Sequence, residues 1–204
     1  MSALLEAPGR QIVLGVDLRP TAARFVDAVR RGAAREIALI SGRGEGKTQA
    51  AAWSWVLHAA EHQLHGRCQA CDQVVRLESG PCECGNSDVE PFTLPTTWLG
   101  VTTTHESHKL KTIPSLLEPH WLGRWRITDD RHLASFVVEG VTFVEVHLFG
   151  AADESAGDRL RAAAHGVWFE EAAPASENQG RGLTLDQWEL AQTSLRLPTH
   201  AHVA

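Results

Sequence analysis

This 204-residue chain lacks several features that would place it in a specialised class of protein. No apolar run approaches the ~20 residues that a membrane-spanning helix requires. The N-terminal segment 1–7 has neither a basic n-region nor a long apolar core, so a secretory signal is not expected. Basic residues are not in excess either, since 19 Lys and Arg face 25 Asp and Glu. The formal net charge of −6 argues against a uniformly basic, DNA-coating surface.

The composition that remains, 43% hydrophobic and 22% charged, is that of an ordinary soluble globular protein. The length suffices for one good core, whereas two full domains would be cramped. We therefore expect a single domain over residues 1–204, with no membrane partner.

A glycine-rich stretch between an apolar run and a helical segment is the most informative feature present. Residues 37–40 are typical of a short buried strand, and residues 49–58 of a helix. Strand, glycine-rich turn and helix together predict a phosphate-binding loop, in which backbone amides and the helix N-terminus attract an anion. Lys47 would reach the β- and γ-phosphates of ATP, and the Thr48 hydroxyl would hold Mg²⁺. The predicted ATP-binding residues are Ser41, Gly42, Arg43, Gly44, Glu45, Gly46, Lys47 and Thr48.

A second apolar strand delivers two adjacent carboxylates. Residues 166–169 precede Glu170 and Glu171, about 120 residues after the phosphate loop. In a parallel sheet this strand and the one before the loop would end at the same edge. Glu170 would then hold the Mg²⁺ hydration shell, and Glu171 would polarise the attacking water as general base. The alternative for both glutamates is a solvated strand end.

Strand and helix patterns alternate along the rest of the chain. Helices are predicted over 21–31, from the phosphate loop to about 64, and from about 184 to 195; strands are predicted over 98–103, 135–138 and 142–148. The last two strands are joined across Glu139 and Gly140, as in a hairpin. The alternation predicts an α/β fold with a mostly parallel central sheet flanked by helices.

Four blocks, in this order, resemble the large terminase subunit, the DNA-packaging motor ATPase of tailed bacteriophages. The phosphate loop contains an internal arginine at 43, and a strand and helix over 98–117 follow where that family has its second core pair. Residues 160–173 are similar to the family's Leu-Arg-Gly, spacer, apolar strand and Asp-Glu-Ala. Residues 193–196 are similar to the segment shortly before its coupling motif.

The resemblance implies a P-loop NTPase of the additional-strand type that hydrolyses ATP to drive double-stranded DNA into a procapsid. It implies that Glu171 is catalytic, that Arg43 contacts the γ-phosphate in cis, and that Arg161 acts in trans on a neighbouring subunit. Thr48 and Glu170 would hold Mg²⁺. The implied partners are DNA, the portal protein and the small terminase subunit, in a homo-oligomeric ring in the cytoplasm of an infected bacterium. The alternative for Arg161 is a solvated helix face that it shares with Arg159, with both pairing to acidic side chains at 153, 154 and 158.

Two residues depart from the usual motifs. Glu170 stands where the Mg²⁺-side residue is usually Asp, and Ser41 stands where the loop usually has its first glycine. The family continues into a nuclease domain with clustered carboxylates, which we do not expect in this chain. DNA cleavage is therefore not predicted.

All four cysteines fall within 17 residues, inside a polar segment over 65–95 that has the character of an insertion. Two pairs at short spacing, Cys68 with Cys71 and Cys82 with Cys84, predict a tetrahedral Zn²⁺ site in a zinc-ribbon-like module. Two disulfides are the alternative, and His65 is a possible substitute ligand. The alternative function for the whole chain is a zinc-bearing nucleotide-binding scaffold or regulator without productive translocation.

Overall fold

The computed structural model describes residues 2–7, 10–31, 37, 39, 46–170 and 184–198, which form a mixed α/β protein. By their contacts these residues group into two units. The first is drawn from 1–96, 138–143 and 198, and the second from 97–137 and 144–197. Among the helices of these ranges, none has both the length and the apolar character to cross a membrane.

Helix α1 (Pro20–Arg31) opens the helical part of the first unit. Proline suits its first position, because a backbone donor there would have no partner inside the helix. The side chains of Ala22, Phe25 and Val26 are buried, at the spacing of one helical face. The helix therefore packs through one stripe, as an amphipathic helix does.

Helix α2 (Lys47–His62) is buried on almost every side, from Ala50 to Ala60 and again at His62. Alanines supply much of that buried surface, and their small side chains let neighbouring elements approach closely. The helix packs against α1, where Arg30 forms an ion pair with Glu61 at 2.7 Å. A helix that is buried on almost every side lies in the interior of a fold.

The first unit also contains two small antiparallel sheets. Strands β1 (Ser2–Ala7) and β2 (Arg10–Gly15) pair with each other. Strands β3 (His65–Cys68), β4 (Val74–Arg76) and β5 (Val89–Pro91) form a sheet in the order β4-β3-β5. This second sheet belongs to the segment over 65–95 that carries the cysteines.

A five-stranded sheet in the order β10-β6-β9-β8-β7 is formed by strands whose residues belong mostly to the second unit. Its strands are β6 (Thr96–Thr102), β7 (Trp125–Ile127), β8 (Leu133–Val138), β9 (Val141–Gly150) and β10 (Gly166–Phe169). Strand β10 runs parallel to β6, whereas β7 and β8 are antiparallel. Strands β8 and β9 form a hairpin, because only two residues separate them and both have positive φ, 49° at Glu139 and 82° at Gly140.

A helical run after β6 precedes the remaining short helices. It consists of α3 (His105–Ser107), a π-turn (His108–Thr112) and α4 (Ile113–Leu116). Later come α5 (Ala156–Arg159) and α6 (Leu185–Ser194). Thr184 caps α6 by exchanging hydrogen bonds with Gln187, a capping box that fixes the start of the helix.

Buried apolar side chains of β6, β9, α5 and α6 form a core in the second unit. It includes Leu99, Val101, Phe149, Leu160 and Ala191. Strand β10, which ends at the predicted carboxylates, packs on the same core through Val167 and Phe169. The core therefore fixes the strand that precedes Glu170.

Most of the predicted elements are confirmed, including the helices over 21–31 and 184–195, the helix after the phosphate loop and the hairpin at 139–140. The expectation of a mostly parallel sheet needs correction. At least two of the four strand pairings in the described sheet are antiparallel, because a two-residue turn joins β8 to β9 and β7 pairs antiparallel with β8. Of the strand predicted over 37–40, Ile37 and Leu39 are described, and neither is in a strand.

Candidate functional site

The start of α2 contains the part of the predicted phosphate loop that the structure describes. Gly46 precedes the helix with φ 75° and ψ 28°, a left-handed conformation that glycine adopts without strain. Its carbonyl accepts a hydrogen bond from the Ala50 amide at 2.8 Å, which closes the first helical turn. Lys47 and Thr48 are half-buried at the first two helical positions. The other loop residues, Ser41, Gly42, Arg43, Gly44 and Glu45, lie outside the described residues.

The chemistry at this helix start suits an anion. The first amides of an α-helix have no partner inside the helix, and the helix dipole adds partial positive charge there. No acidic residue lies in the first turn of α2 to compete for those amides. The residues present can therefore hold a phosphate group, with the lysine and the threonine hydroxyl beside it.

Glu170 immediately follows β10, in the second unit. The parallel pairing of β10 with β6 sets Phe169 opposite Val101, and the Glu170 amide then donates to the Val101 carbonyl at 2.9 Å. The half-buried Glu170 side chain accepts a hydrogen bond at 3.0 Å from the hydroxyl of Thr112. Glu171, the predicted general base, lies outside the described residues.

Thr112 and His108 belong to a buried polar group that the sequence did not predict. The Thr112 hydroxyl lies 3.0 Å from Nδ1 of His108, and both side chains are fully buried. Burial lowers the pKa of His108 to about 4, against the opposing effect of hydrogen bonds to the Gly100 and Phe149 carbonyls. The ring is therefore neutral near pH 7. Only the four-residue spacing of His108 and Thr112 signals this pair in the sequence, and that spacing is common on helices.

Arg161 is exposed and forms an ion pair with Asp158 at 3.2 Å. Its backbone carbonyl accepts a hydrogen bond from the Arg196 guanidinium. Arg159 behaves differently, since it lies 3.1 Å from Nδ1 of His132 and packs over the ring of Phe149. The alternative, in which both arginines lie on a solvated helix face and pair with acidic side chains, therefore describes Arg161 but not Arg159. A role for Arg161 in trans stays a prediction.

The four cysteines come together in the first unit. Their sulfur atoms all lie within 4.8 Å of one another, with Cys68 to Cys84 at 3.6 Å and Cys71 to Cys82 at 3.4 Å. Zn–S bonds of about 2.3 Å in a tetrahedron put sulfur atoms about 3.8 Å apart, so the arrangement fits Zn²⁺. The separations are far longer than a disulfide bond of about 2.05 Å, and the thiols are free.

Two tight turns present the thiols. In the first turn, the Cys68 carbonyl accepts from the Asp72 amide at 2.9 Å, and Asp72 adopts a positive φ of 62°. In the second, the Cys82 carbonyl accepts from the Gly85 amide at 2.7 Å, and Gly85 has φ 85°. The Gly85 amide therefore closes the second turn. In both turns the left-handed residue folds the chain back, which brings two cysteines to one side.

Other backbone amides point at sulfur atoms of the site. A hydrogen bond from the Ala70 amide is the main reason why the pKa of Cys68 falls to about 6, despite its burial. The Gln73 amide favours the Cys71 thiolate in the same way, yet the neighbouring thiols, Cys82 first among them, and burial raise the pKa of Cys71 to about 12. Four thiolates repel one another unless a cation lies between them. A divalent cation that favours thiolates, such as Zn²⁺, removes that repulsion.

His65, the possible substitute ligand, is bonded elsewhere. Its Nδ1 lies 2.7 Å from the Glu61 carbonyl, at the end of α2. Among the described residues, the four cysteines alone form a cluster with metal-ligand geometry. The residues that could hold a metal ion are therefore Cys68, Cys71, Cys82 and Cys84.

No protein-family model matches this sequence, and a search of curated proteins found no match. Among solved structures, the chain is similar to the large terminase from the thermophilic bacteriophage D6E, with 18% sequence identity and a TM-score of 0.42. The similarity covers 52% of this chain and 24% of the terminase chain. This chain thus matches about a quarter of that protein's length, and a likeness of this size does not assign it to a family.

Proposed function

We propose that this chain is a Mg²⁺-dependent P-loop ATPase of the terminase large-subunit type, which hydrolyses ATP to move double-stranded DNA into a procapsid. The observation that supports nucleotide binding best is the start of α2. A left-handed Gly46 comes just before Lys47 and Thr48, and no carboxylate lies in the first helical turn. Those are the residues and the backbone that a phosphate-binding loop needs at its end.

The proposed roles follow from the chemistry of each group. Lys47 binds the β- and γ-phosphates, and Thr48 and Glu170 offer hard oxygen ligands for Mg²⁺. Glu171 orients and polarises the attacking water. A Mg²⁺ ion held there would neutralise charge that develops on the phosphates during transfer. Arg43 contacts the γ-phosphate in cis, and the remaining loop residues cradle the phosphates with their amides.

Assembly is proposed from the sequence resemblance alone. The chain would form a homo-oligomeric ring with the portal protein, the small terminase subunit and DNA, in the cytoplasm of an infected bacterium. Arg161 would act on the ATP of a neighbouring subunit. Its ion pair with Asp158 is exposed, and such surface pairs contribute about 0–1 kcal/mol, so exchange for a phosphate partner costs little.

We propose residues 1–204 as an ATPase domain of the additional-strand type.

A zinc-bearing scaffold that binds nucleotide without productive turnover is the second candidate. One observation favours it: Glu170 stands where the family has Asp. The glutamate is one methylene longer, which changes the distance from backbone to metal. In both candidates the module over 65–95 holds Zn²⁺ through Cys68, Cys71, Cys82 and Cys84.

Steady-state phosphate release from Mg²⁺–ATP separates the candidates, with nucleotide binding measured in parallel by the fluorescence of a trinitrophenyl-ATP probe. A motor loses binding in Lys47→Ala, whereas Glu171→Gln keeps binding and loses turnover by about 100-fold or more. A scaffold binds the probe equally well in wild type and Glu171→Gln, and the two show the same residual turnover. Failure of the wild type to bind the probe would exclude both candidates.

A further inference from the structure

The contact between Thr112 and Glu170 joins two segments that are distant in sequence. The Thr112 hydroxyl donates to Oε2 of Glu170 at 3.0 Å, across 58 residues of chain. Thr112 is fully buried, whereas Glu170 is half-buried at the end of β10. A buried hydroxyl needs a hydrogen-bond partner, so the identity of its partners limits where the carboxylate can lie.

The π-turn brings His108 beside Thr112. Its ring uses both nitrogens: Nδ1 lies 3.0 Å from the Thr112 hydroxyl, and Nε2 lies 2.9 Å from the Gly100 carbonyl and 3.3 Å from that of Phe149. The Gly100 backbone lies close to strand β9, because a Cβ at this position would lie only 2.9 Å from Cδ2 of Leu148. π-turns often occur at functional sites, and this one follows the strand that pairs with β10.

The hydrogens in this group can be counted. A neutral imidazole carries one N–H, and a carbonyl oxygen can only accept. The two carbonyls beside Nε2 therefore place that hydrogen on Nε2 of His108, which leaves Nδ1 as an acceptor. The Thr112 hydroxyl has one hydrogen and two acceptors within reach, Nδ1 of His108 and Oε2 of Glu170.

We propose that Thr112 is a positioning residue for Glu170, and that His108 is the second acceptor to which its hydroxyl turns when the carboxylate moves. The hydroxyl then keeps a partner in both positions, so Glu170 can exchange Thr112 for a metal ion without leaving a buried donor unpaired. This inference rests on the proposed function, in which Glu170 is a ligand of Mg²⁺.

The Mg²⁺ dependence of ATP hydrolysis tests the positioning role. Thr112→Val keeps the shape and removes the hydroxyl, and Thr112→Ser keeps the hydroxyl. Loss of an outer-shell partner typically costs about 10- to 100-fold in metal affinity or activity, so Thr112→Val should need about 10-fold more Mg²⁺ or more for half-maximal rate. Thr112→Ser should stay within about threefold of wild type. Equal behaviour of the two variants would overturn the proposal, because the hydroxyl would then be irrelevant.

A second readout needs no hydrolysis, so failure of the proposed function remains distinguishable. In protein labelled with ¹³C at glutamate carboxyl groups, the Glu170 signal is identified by its absence in Glu170→Gln. That signal should shift in Thr112→Val and keep its wild-type position in Thr112→Ser. In His108→Gln the Glu170 signal should keep its wild-type position, because the Thr112 hydroxyl still donates to the carboxylate. An unchanged Glu170 signal in Thr112→Val refutes the positioning role even if the wild type hydrolyses ATP. If Thr112→Val does not fold, Thr112→Ala provides the same comparison.

Discussion

Acidification should destabilise the protein through His108, and the size of the effect follows from its burial. Burial lowers the pKa of His108 from 6.5 to about 4. Between these two pH values the ring is protonated in the unfolded chain but neutral in the folded chain. The free energy of unfolding is therefore unaffected by this ring above pH 6.5 and decreases as the pH falls towards 4. By linkage the loss relative to pH 8 is about 2 kcal/mol at pH 5 and about 3 kcal/mol at pH 4.

Many other groups titrate over the same range, so the measurement must be a difference between variants. Urea unfolding of wild type and His108→Gln at pH 8 and pH 5 gives four free energies of unfolding. The loss between the two pH values should be about 2 kcal/mol smaller in His108→Gln than in wild type. His120→Gln, at an exposed histidine of the same unit, is the matched control.

A direct titration of the His108 ring by NMR supplies the independent check. Its ring signals should remain those of a neutral imidazole down to about pH 5, since the pKa is about 4. If His108 titrates near 6.5, or if His108→Gln loses as much stability as wild type, burial does not control the protonation of this ring.

Three further predictions concern the other sites. The purified chain should contain one Zn²⁺ by atomic emission, and Cys82→Ser should lose this ion. His65→Ala should keep it, because the His65 ring is hydrogen-bonded to the Glu61 carbonyl. Gly46→Ala should destabilise the chain by about 1–2 kcal/mol in thermal melts, since φ is 75° there, and a neutral result would contradict the left-handed start of α2. Arg161→Ala should change the free energy of unfolding by less than about 1 kcal/mol, because its pair with Asp158 is exposed. A larger loss would mean that Arg161 has a structural role.

Local patterns predicted the elements that local physics determines. Glu139 and Gly140 predicted a hairpin, because two residues with positive φ close such a turn, and the structure has φ 49° and 82° there. The cysteines predicted a metal site, since each pair is separated by so few residues that one turn brings it together. The helix after the phosphate loop was predicted from apolar residues that the structure buries.

Long-range pairings were beyond such patterns. Nothing in the sequence connects Thr112 with Glu170, which lie 58 residues apart and meet only because β10 pairs in parallel with β6. Strand direction was also misjudged. Alternating strands and helices predicted a mostly parallel sheet. The two-residue turn after Val138, however, makes β8 and β9 antiparallel. The pairing of β1 with β2 was not predicted either.

The charges of the cysteine-bearing module argue against a grip on nucleic acid. Residues 65–95 contain two basic and five acidic side chains, and a zinc ion bound by four thiolates adds further negative charge. Both basic side chains also have acidic partners inside the module, Arg67 with Asp72 at 2.8 Å and Arg76 with Glu78 at 3.8 Å. Binding to DNA phosphates would break these two ion pairs, and the net negative charge of the module would repel the phosphates. Affinity for DNA depends on Lys and Arg side chains that can contact phosphates. A metal ion at the four cysteines is therefore better suited to hold together a segment too small for its own hydrophobic core.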